Sequence, residues 1–178
     1  MKKLLFLLLI VVAGCSSPSP SGNATSYFSI DGYFNNQIQH FTSDKTGLEK
    51  EITKDGKKEK RTFANVNWKK ELKPFLEADI NKPAWKRSYQ RDSSSNGNET
   101  YIVYSALEPK LNVRKIELYK TADTLSRIKI LTEKQNAYYH AMQTMEYIPF
   151  KEYTISGGQK VILADTTSYL IHSVFIHH

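Results

Sequence analysis

The sequence predicts an α+β domain: two N-terminal helices packed on a curled, mostly antiparallel meander sheet of about seven to nine strands. Three observations lead there. Two apolar stripes with helical spacing fill the first half of the chain, running from Tyr27 to Phe41 and from Trp68 to Ile80. From Trp85 onwards, short β-rich runs alternate with turn residues. Those turns are spaced closely enough for neighbouring strands to pair in sequence order.

The first stripe is Tyr27, Ile30, Phe34, Ile38 and Phe41. Steps of three and four residues put these side chains on one face of a helix, an aromatic-rich face suited to burial. Gly32 inside it costs about 1 kcal/mol relative to alanine. The second stripe is Trp68, Leu72, Phe75, Leu76 and Ile80, with Asn67 or Asn65 as the N-cap. Pro74 removes one backbone bond, to the carbonyl of Lys70, and should kink this helix. Asn81-Lys82-Pro83 ends it.

Between the stripes, Asp55-Gly56 separates Leu48–Lys54 from Lys57–Phe63. A two-residue Asp-Gly loop favours the type I′ turn, whose two central residues need positive φ. Counting outward pairs Glu51 with Lys60, Ile52 with Glu59 and Leu48 with Phe63. The tip carries Lys54, Lys57, Lys58, Lys60 and Arg61, so it should protrude into water or towards a charged partner.

The later strands read as Trp85–Asp92, Glu99–Leu107, Val113–Lys120, Thr124–Thr132, Ala137–Met142, Thr144–Ile148, Glu152–Ser156, Lys160–Ala164 and Ser168–Ile176. Ser93–Asn98, Thr121-Ala122-Asp123, Gly157-Gly158 and Asp165-Thr166 supply loops and turns between them. The last strand is apolar on both faces, which suits a central position or cover on both sides. Tyr153-Thr-Ile155-Ser-Gly157 is echoed by Tyr169-Leu-Ile171-His-Ser173, a repeated strand pattern rather than a solenoid.

The segment before this domain is of a different kind. Met1 to Cys15 reads MKKLLFLLLIVVAGC: two lysines, an apolar run from Leu4 to Val12, small residues at Ala13-Gly14, then the only cysteine. That is the layout of a secretion signal, too short to span a bilayer, which takes roughly 20 apolar residues. Val12-Ala13-Gly14-Cys15 resembles the lipobox of bacterial lipoproteins, and the resemblance covers this segment only. It implies peptidase recognition of Val12, Ala13 and Gly14, cleavage before Cys15, and a diacylglycerol thioether on the Cys15 sulfur. A further acyl chain, commonly palmitate, usually joins the new amino group. Two or three chains anchor stably where one binds marginally. Ser16, rather than an acid, follows the cysteine; by analogy with Gram-negative sorting this implies the outer membrane. Ser16 to Thr25, SSPSPSGNAT, reads as a flexible tether. It has no acidic run of the kind linked to surface display, which favours a periplasm-facing domain. Residues 1–14 are thus expected to be signal peptide, 15–26 lipidated cysteine and tether, and 27–178 one domain.

Composition narrows the function. Without residues 1–14 the chain keeps 164 residues, with 23 Lys+Arg against 18 Asp+Glu. That is enough for one real core. A lone cysteine leaves no internal disulfide to staple it. Lys45 to Arg91 holds 14 basic and 7 acidic residues, so the positive charge is concentrated there. Such a face could lean on anionic headgroups or simply be solvated. Nucleic acid is not an expected partner of an exported, tethered chain.

Chemistry finds little purchase. No Gly-x-Ser-x-Gly is present, and His40, His140, His172, His177 and His178 show no metal-ligand spacing. No metal and no cofactor are expected. Asp123-Thr124-Leu125 and Asp165-Thr166-Thr167 resemble an O-glycosylation acceptor of some Gram-negative envelopes, but Asp-Thr is also ordinary turn chemistry. Tyr101, Tyr104, Tyr119, Tyr138 and Tyr139 fall on strands, where they could line a concave ligand surface or serve packing alone. In outline the chain resembles small, uncharacterised lipoproteins of the Gram-negative cell envelope. By architecture alone it is also similar to half-barrel carriers of the periplasm. The reading is a lipid-anchored, non-enzymatic binding module for an envelope protein or polymer. The alternatives are a carrier of an apolar ligand and, below it, an envelope glycan hydrolase. Oligomeric state stays open.

Overall fold

A computed structural model describes residues 27–162 and 166–177. Val12, Ala13, Gly14, Cys15 and the tether lie outside the described residues, as does Asp165 of the second Asp-Thr pair.

Helix α1 spans Ile30–Ser43. It starts at Ser29, whose hydroxyl accepts the Gly32 backbone N–H at 3.0 Å. Gly32 has a reason beyond its cost in helicity: a Cβ there would sit 2.8 Å from that capping oxygen. Ile30, Phe34 and Phe41 of the stripe are fully buried, while Ile38 lies at the margin and Tyr27 precedes the helix. Gln37 takes the fourth buried place and accepts the Tyr147 hydroxyl proton at 2.7 Å.

The second long helix is replaced by two single turns, α2 at Trp68–Glu71 and α3 at Lys73–Leu76. Asn67 caps α2 through its side-chain oxygen, which accepts from the Lys70 N–H at 3.0 Å. Pro74 lies in the first turn of α3, where its missing donor leaves nothing unsatisfied. The proline therefore splits the helix rather than kinking it. Trp68, Leu72, Phe75 and Ile80 are still buried. A 3-10 turn follows at Pro83–Trp85.

Nine strands form one open antiparallel sheet: β1 Gly47–Lys54, β2 Lys57–Phe63, β3 Tyr89–Asn96, β4 Glu99–Ala106, β5 Val113–Thr121, β6 Thr124–Gln135, β7 Tyr139–Ile148, β8 Glu152–Val161 and β9 Thr167–Ile176. The spatial order is β2-β1-β9-β8-β7-β6-β5-β4-β3. The meander holds from β3 to β9. The N-terminal hairpin then joins beside the C-terminal strand, with Gly47 to Lys54 paired along Ile176 to Tyr169. The expected hairpin register is present, from Lys54↔Lys57 to Leu48↔Phe63, with Asp55 and Gly56 both at positive φ. Its tip does not stand clear of the sheet, because the Asp55 N–H donates to the Ser168 carbonyl at 3.1 Å. Only β2 is exposed throughout.

Several strand boundaries move. Ala137–Met142 and Thr144–Ile148 are one strand, and so are the runs on either side of Gly157-Gly158. The glycine pair is strand interior, not a turn. Tyr169 on β9 is the cross-strand partner of Gly157, and a Cβ on Gly157 would lie 2.6 Å from its hydroxyl and 2.7 Å from the Met142 carbonyl oxygen. The segment Ser93–Asn98 is mostly strand, turning at Gly97-Asn98, while β3 begins only at Tyr89. The echoed pentapeptides face each other on β8 and β9, with Ile155 opposite Ile171. β9 is interior to the sheet, yet its outer face stays open, with Leu170 43% exposed.

Helices and sheet meet through aromatic rings. Phe34 stacks on Phe75 at 4.8 Å between centroids, and Tyr147 stands edge-on to Phe34 at 4.9 Å. Phe41 lies 4.6 Å from both Trp68 and Phe175. The two β8 glycines should differ when tested. Gly157→Ala should cost about 1–3 kcal/mol in urea unfolding because the backbone carbonyl of Met142 cannot move aside cheaply. Gly158→Ala, whose Cβ would be 3.3 Å from the Thr167 carbonyl oxygen, should cost less. Equal costs would mean that Tyr169 and Met142 do not hold Gly157 in place.

Candidate functional site

The α2–α3 segment forms a ridge over the sheet, with a groove on each flank that Pro74 helps to line. The first groove, about 390 Å³, runs between α2 and the β1–β2 hairpin. Leu48, Ile155 and Ile171 give it an apolar lining from three neighbouring strands, and Phe63 of β2 forms a lip. Beyond Phe63 it continues into a recess of about 300 Å³ lined by Lys50, Ile52, Glu59 and Arg61. Ile52 and Phe63 are 37% and 39% exposed, so this apolar lining is open to a visitor.

A polar cluster closes the inner end. Glu71 of α2 accepts the Tyr153 hydroxyl proton and forms an ion pair with the Lys50 ammonium. Lys50 and Glu71 are each only 18% exposed, so the pair is shielded from water. Burial, and then the negative charge of Glu71, hold the Tyr153 hydroxyl well above its ordinary pKa. Tyr153 is therefore a hydrogen-bond donor at neutral pH, and Glu71 is a neutralised acceptor. Such a cluster orients side chains; it does not supply an activated nucleophile.

The second groove, about 580 Å³, lies between α3 with the segment after it and strands β5 to β7. Trp85, Val113 and Met145 are apolar contributors, set against Glu77, Lys134 and Gln143. The Lys82 ammonium sits 4.2 Å over the Trp85 ring, a cation–π contact. Glu71 lines the first groove and Glu59 its outer recess, while Glu77 lines the second groove.

The residues singled out in the sequence scatter. Of the hairpin cations, Lys58 pairs with Glu51 at 2.9 Å, Lys60 with Glu49 at 2.7 Å, and Arg61 with Glu59. Much of the basic hairpin is thus neutralised within itself. The histidines lie apart: His40 beside Asp44, His140 beside Glu133, and His172 beside Glu152. Among the described residues no group of three metal-ligating side chains occurs.

The tyrosines do not share a platform either. Tyr104 is buried, and Tyr138 is 74% exposed at the β6–β7 loop. Tyr101 and Tyr119 pair 5.1 Å apart, with Arg127 over Tyr119. Lys50, Glu71 and Tyr153 carried no signal in the sequence, because they come from β1, α2 and β8 and meet only through the nonlocal β1–β9 pairing.

No model of a known family, no curated protein and no solved structure matches this chain. Among the described residues no helix is long and apolar enough to cross a membrane.

Buried tyrosines give the domain a definite response to alkali. Tyr147 and Tyr153 are raised above the ordinary tyrosine value chiefly by burial, and burial pushes Tyr89 up to about 12. In the unfolded chain each ionises near pH 10. Above that pH the unfolded state loses protons that the folded state keeps, so stability falls as pH rises from about 10 towards the folded pKa values. Below pH 10 this contribution is fully present. Ultraviolet titration of tyrosinate should show these three ionising only as the fold is lost, and Tyr153→Phe should make the alkaline loss of stability less steep. Complete ionisation near pH 10 with intact near-ultraviolet circular dichroism would contradict it.

Proposed function

We propose that this protein is a lipid-anchored lipoprotein of the bacterial cell envelope, held through Cys15 in the outer membrane and facing the periplasm. Its domain acts as a non-enzymatic binding module. The observation that carries the binding part is the first groove: an apolar cleft left open between α2 and the β1–β2 hairpin, with Ile52 and Phe63 exposed inside it. A concave apolar surface with a few placed polar groups is the usual form of a recognition site. Lys50, Glu71 and Tyr153 satisfy one another at its inner end and hold the cleft in shape. The occupant fitting that chemistry is an apolar side chain or short segment of an envelope protein or polymer.

The anchor rests on Val12-Ala13-Gly14-Cys15 and on the absence of any other cysteine to which Cys15 could be joined within the chain. A second reading, a carrier of an apolar ligand, is favoured by groove volumes of about 390 and 580 Å³, which fall within the range of small-molecule sites. Glycoside chemistry needs two carboxylates about 5–9.5 Å apart. Glu71 and Glu59 of the first groove and its recess are ion-paired with Lys50 and Arg61, and Glu77 of the second with Lys73, which gives that reading no support.

Two experiments test the proposal. Cells fed labelled palmitate should incorporate it into the wild-type protein, while Cys15→Ser should lose the label and its membrane retention. A wild-type mature chain recovered unlabelled from the soluble fraction would remove the anchor. For the groove, Phe63→Glu puts a charge on the lip at an exposed site. It should abolish cross-linking of the envelope partner while leaving the unfolding midpoint nearly unchanged. Unaltered cross-linking would move the contact elsewhere, and a lipid released from wild-type protein in native mass spectrometry would favour the carrier.

A further inference from the structure

Strand directions gather five parts of the chain at one end of the sheet: the lead into β3, the β4–β5, β6–β7 and β8–β9 connections, and the β1–β2 turn. Backbone bonds tie neighbouring parts together. The Leu107 N–H donates to the Ser88 carbonyl at 2.9 Å, Glu133 to Asn112 at 2.8 Å, and Ile162 to Tyr138 at 3.0 Å. At the far side the Ser168 N–H donates to the Asp55 carboxylate at 3.0 Å. The result is a continuous rim.

This rim is unusual in what it shows to solvent. Leu107, Tyr138 and Ile162 are 58%, 74% and 59% exposed, the three most exposed large apolar side chains among the described residues, and each sits on a different rim loop. Exposed Lys54, Lys57, Lys86, Arg87, Lys134 and Lys160 accompany them. None of these six takes part in the ion pairs among the described residues; of the described rim acids, Glu108 and Glu133 are paired with Lys110 and Arg114, and Asp55 accepts the Ser168 N–H. At the opposite end of the sheet, the Gly97-Asn98 and Ala122-Asp123 turns carry no large apolar side chain. Phe150, also at that end, is held against the His40 ring at 5.0 Å.

Tyr27, the first described residue, is tied to this same rim by its hydroxyl, which lies 3.1 and 3.0 Å from the carbonyl oxygens of Trp85 and Lys86. Twelve residue steps separate Tyr27 from Cys15. Fully extended they reach about 43 Å at most.

We propose that the rim is a membrane-docking surface that seats on a bilayer containing anionic phospholipid. Leu107, Tyr138 and Ile162 enter the boundary between headgroups and acyl chains, and the six cations meet lipid phosphates. The nearness of that bilayer rests on the lipid-anchored reading; the docking itself does not need the anchor. The tether then acts as a short leash that raises the local concentration of membrane at the rim. The domain lies on the membrane instead of hanging free.

The test uses the chain from Ser16 onwards, which has neither leader nor lipidated cysteine and keeps every described core residue, Ile30 to Phe175, with its fold checked by near-ultraviolet circular dichroism. It should co-sediment with phosphatidylglycerol–phosphatidylethanolamine vesicles, weakly with phosphatidylcholine vesicles, and less as salt rises. Joint replacement L107S/Y138S/I162S should lower binding to anionic vesicles at least about tenfold, as should K54E/K86E/K160E. Phe150→Ser, at an exposed apolar site at the opposite end of the sheet, should bind as wild type. Absence of wild-type binding, or unchanged binding by the L107S/Y138S/I162S variant with its unfolding midpoint intact, would overturn the proposal. So would gel filtration showing a wild-type dimer that this variant dissociates, since the rim would then cover a second copy. Loss of palmitate labelling in the full chain with vesicle binding retained would remove the anchor and leave the docking surface standing.

Discussion

The domain depends on one wedge of aromatic rings, Phe34, Phe75, Tyr147 and Tyr153, held between the helix layer and the sheet. Phe34 and Phe75 reach it from α1 and α3, Tyr147 and Tyr153 from β7 and β8. A chain with a single cysteine has no internal disulfide to lean on, so apolar burial must supply the stability. Aromatic side chains remove roughly 150–250 Å² each from water and also carry polar tips that must be satisfied. Those tips decide what comes next. The Tyr147 hydroxyl reaches Gln37 on α1, and the Tyr153 hydroxyl reaches Glu71 on α2, which in turn neutralises Lys50 on β1. The polar cluster at the end of the first groove is therefore the outer edge of the core, and the groove owes its shape to the wedge.

The hairpin shows how charge can mislead when it is counted along a chain. Its run of lysines suggests a free basic arm, yet cross-strand pairing places Lys58 and Lys60 against Glu51 and Glu49. Lysine along an exposed edge strand also protects that edge against pairing with another sheet. Among the cations outside those pairs, Lys54, Lys57, Lys86 and Arg87 lie at the ends of elements, together with Lys134 and Lys160 from distant parts of the sequence, while Lys69 and Lys70 stand on α2. Only the strand directions bring these to one rim with Leu107, Tyr138 and Ile162. On the proposed reading, the groove beside the hairpin and the rim at the sheet's end divide the work between recognition and seating on the membrane.

Legibility in the sequence followed the range of the interaction. The α1 stripe, the Asp55-Gly56 turn with its full register, and the burial of Trp68, Leu72, Phe75 and Ile80 were readable because each depends on residues within a few positions of one another. Pro74 was readable as a disruption, though not as a clean split into two turns, since that outcome also needs α3 to find its own packing against Phe34. Gly157-Gly158 misled for a similar reason. Two glycines usually mark a turn, but here Gly157 leaves room for the Tyr169 ring arriving from β9.

By itself the sequence determined an α+β fold dominated by an antiparallel sheet, the buried face of α1 and the hairpin register, because periodicity and turn chemistry are local properties. Only the tertiary structure decided that β1 lies beside β9, that Lys50, Glu71 and Tyr153 share a groove, and that five separated parts of the chain form one rim. Those placements follow from strand pairings between distant segments, β1 with β9 above all, and no short-range pattern records the energy of contacts made so far apart.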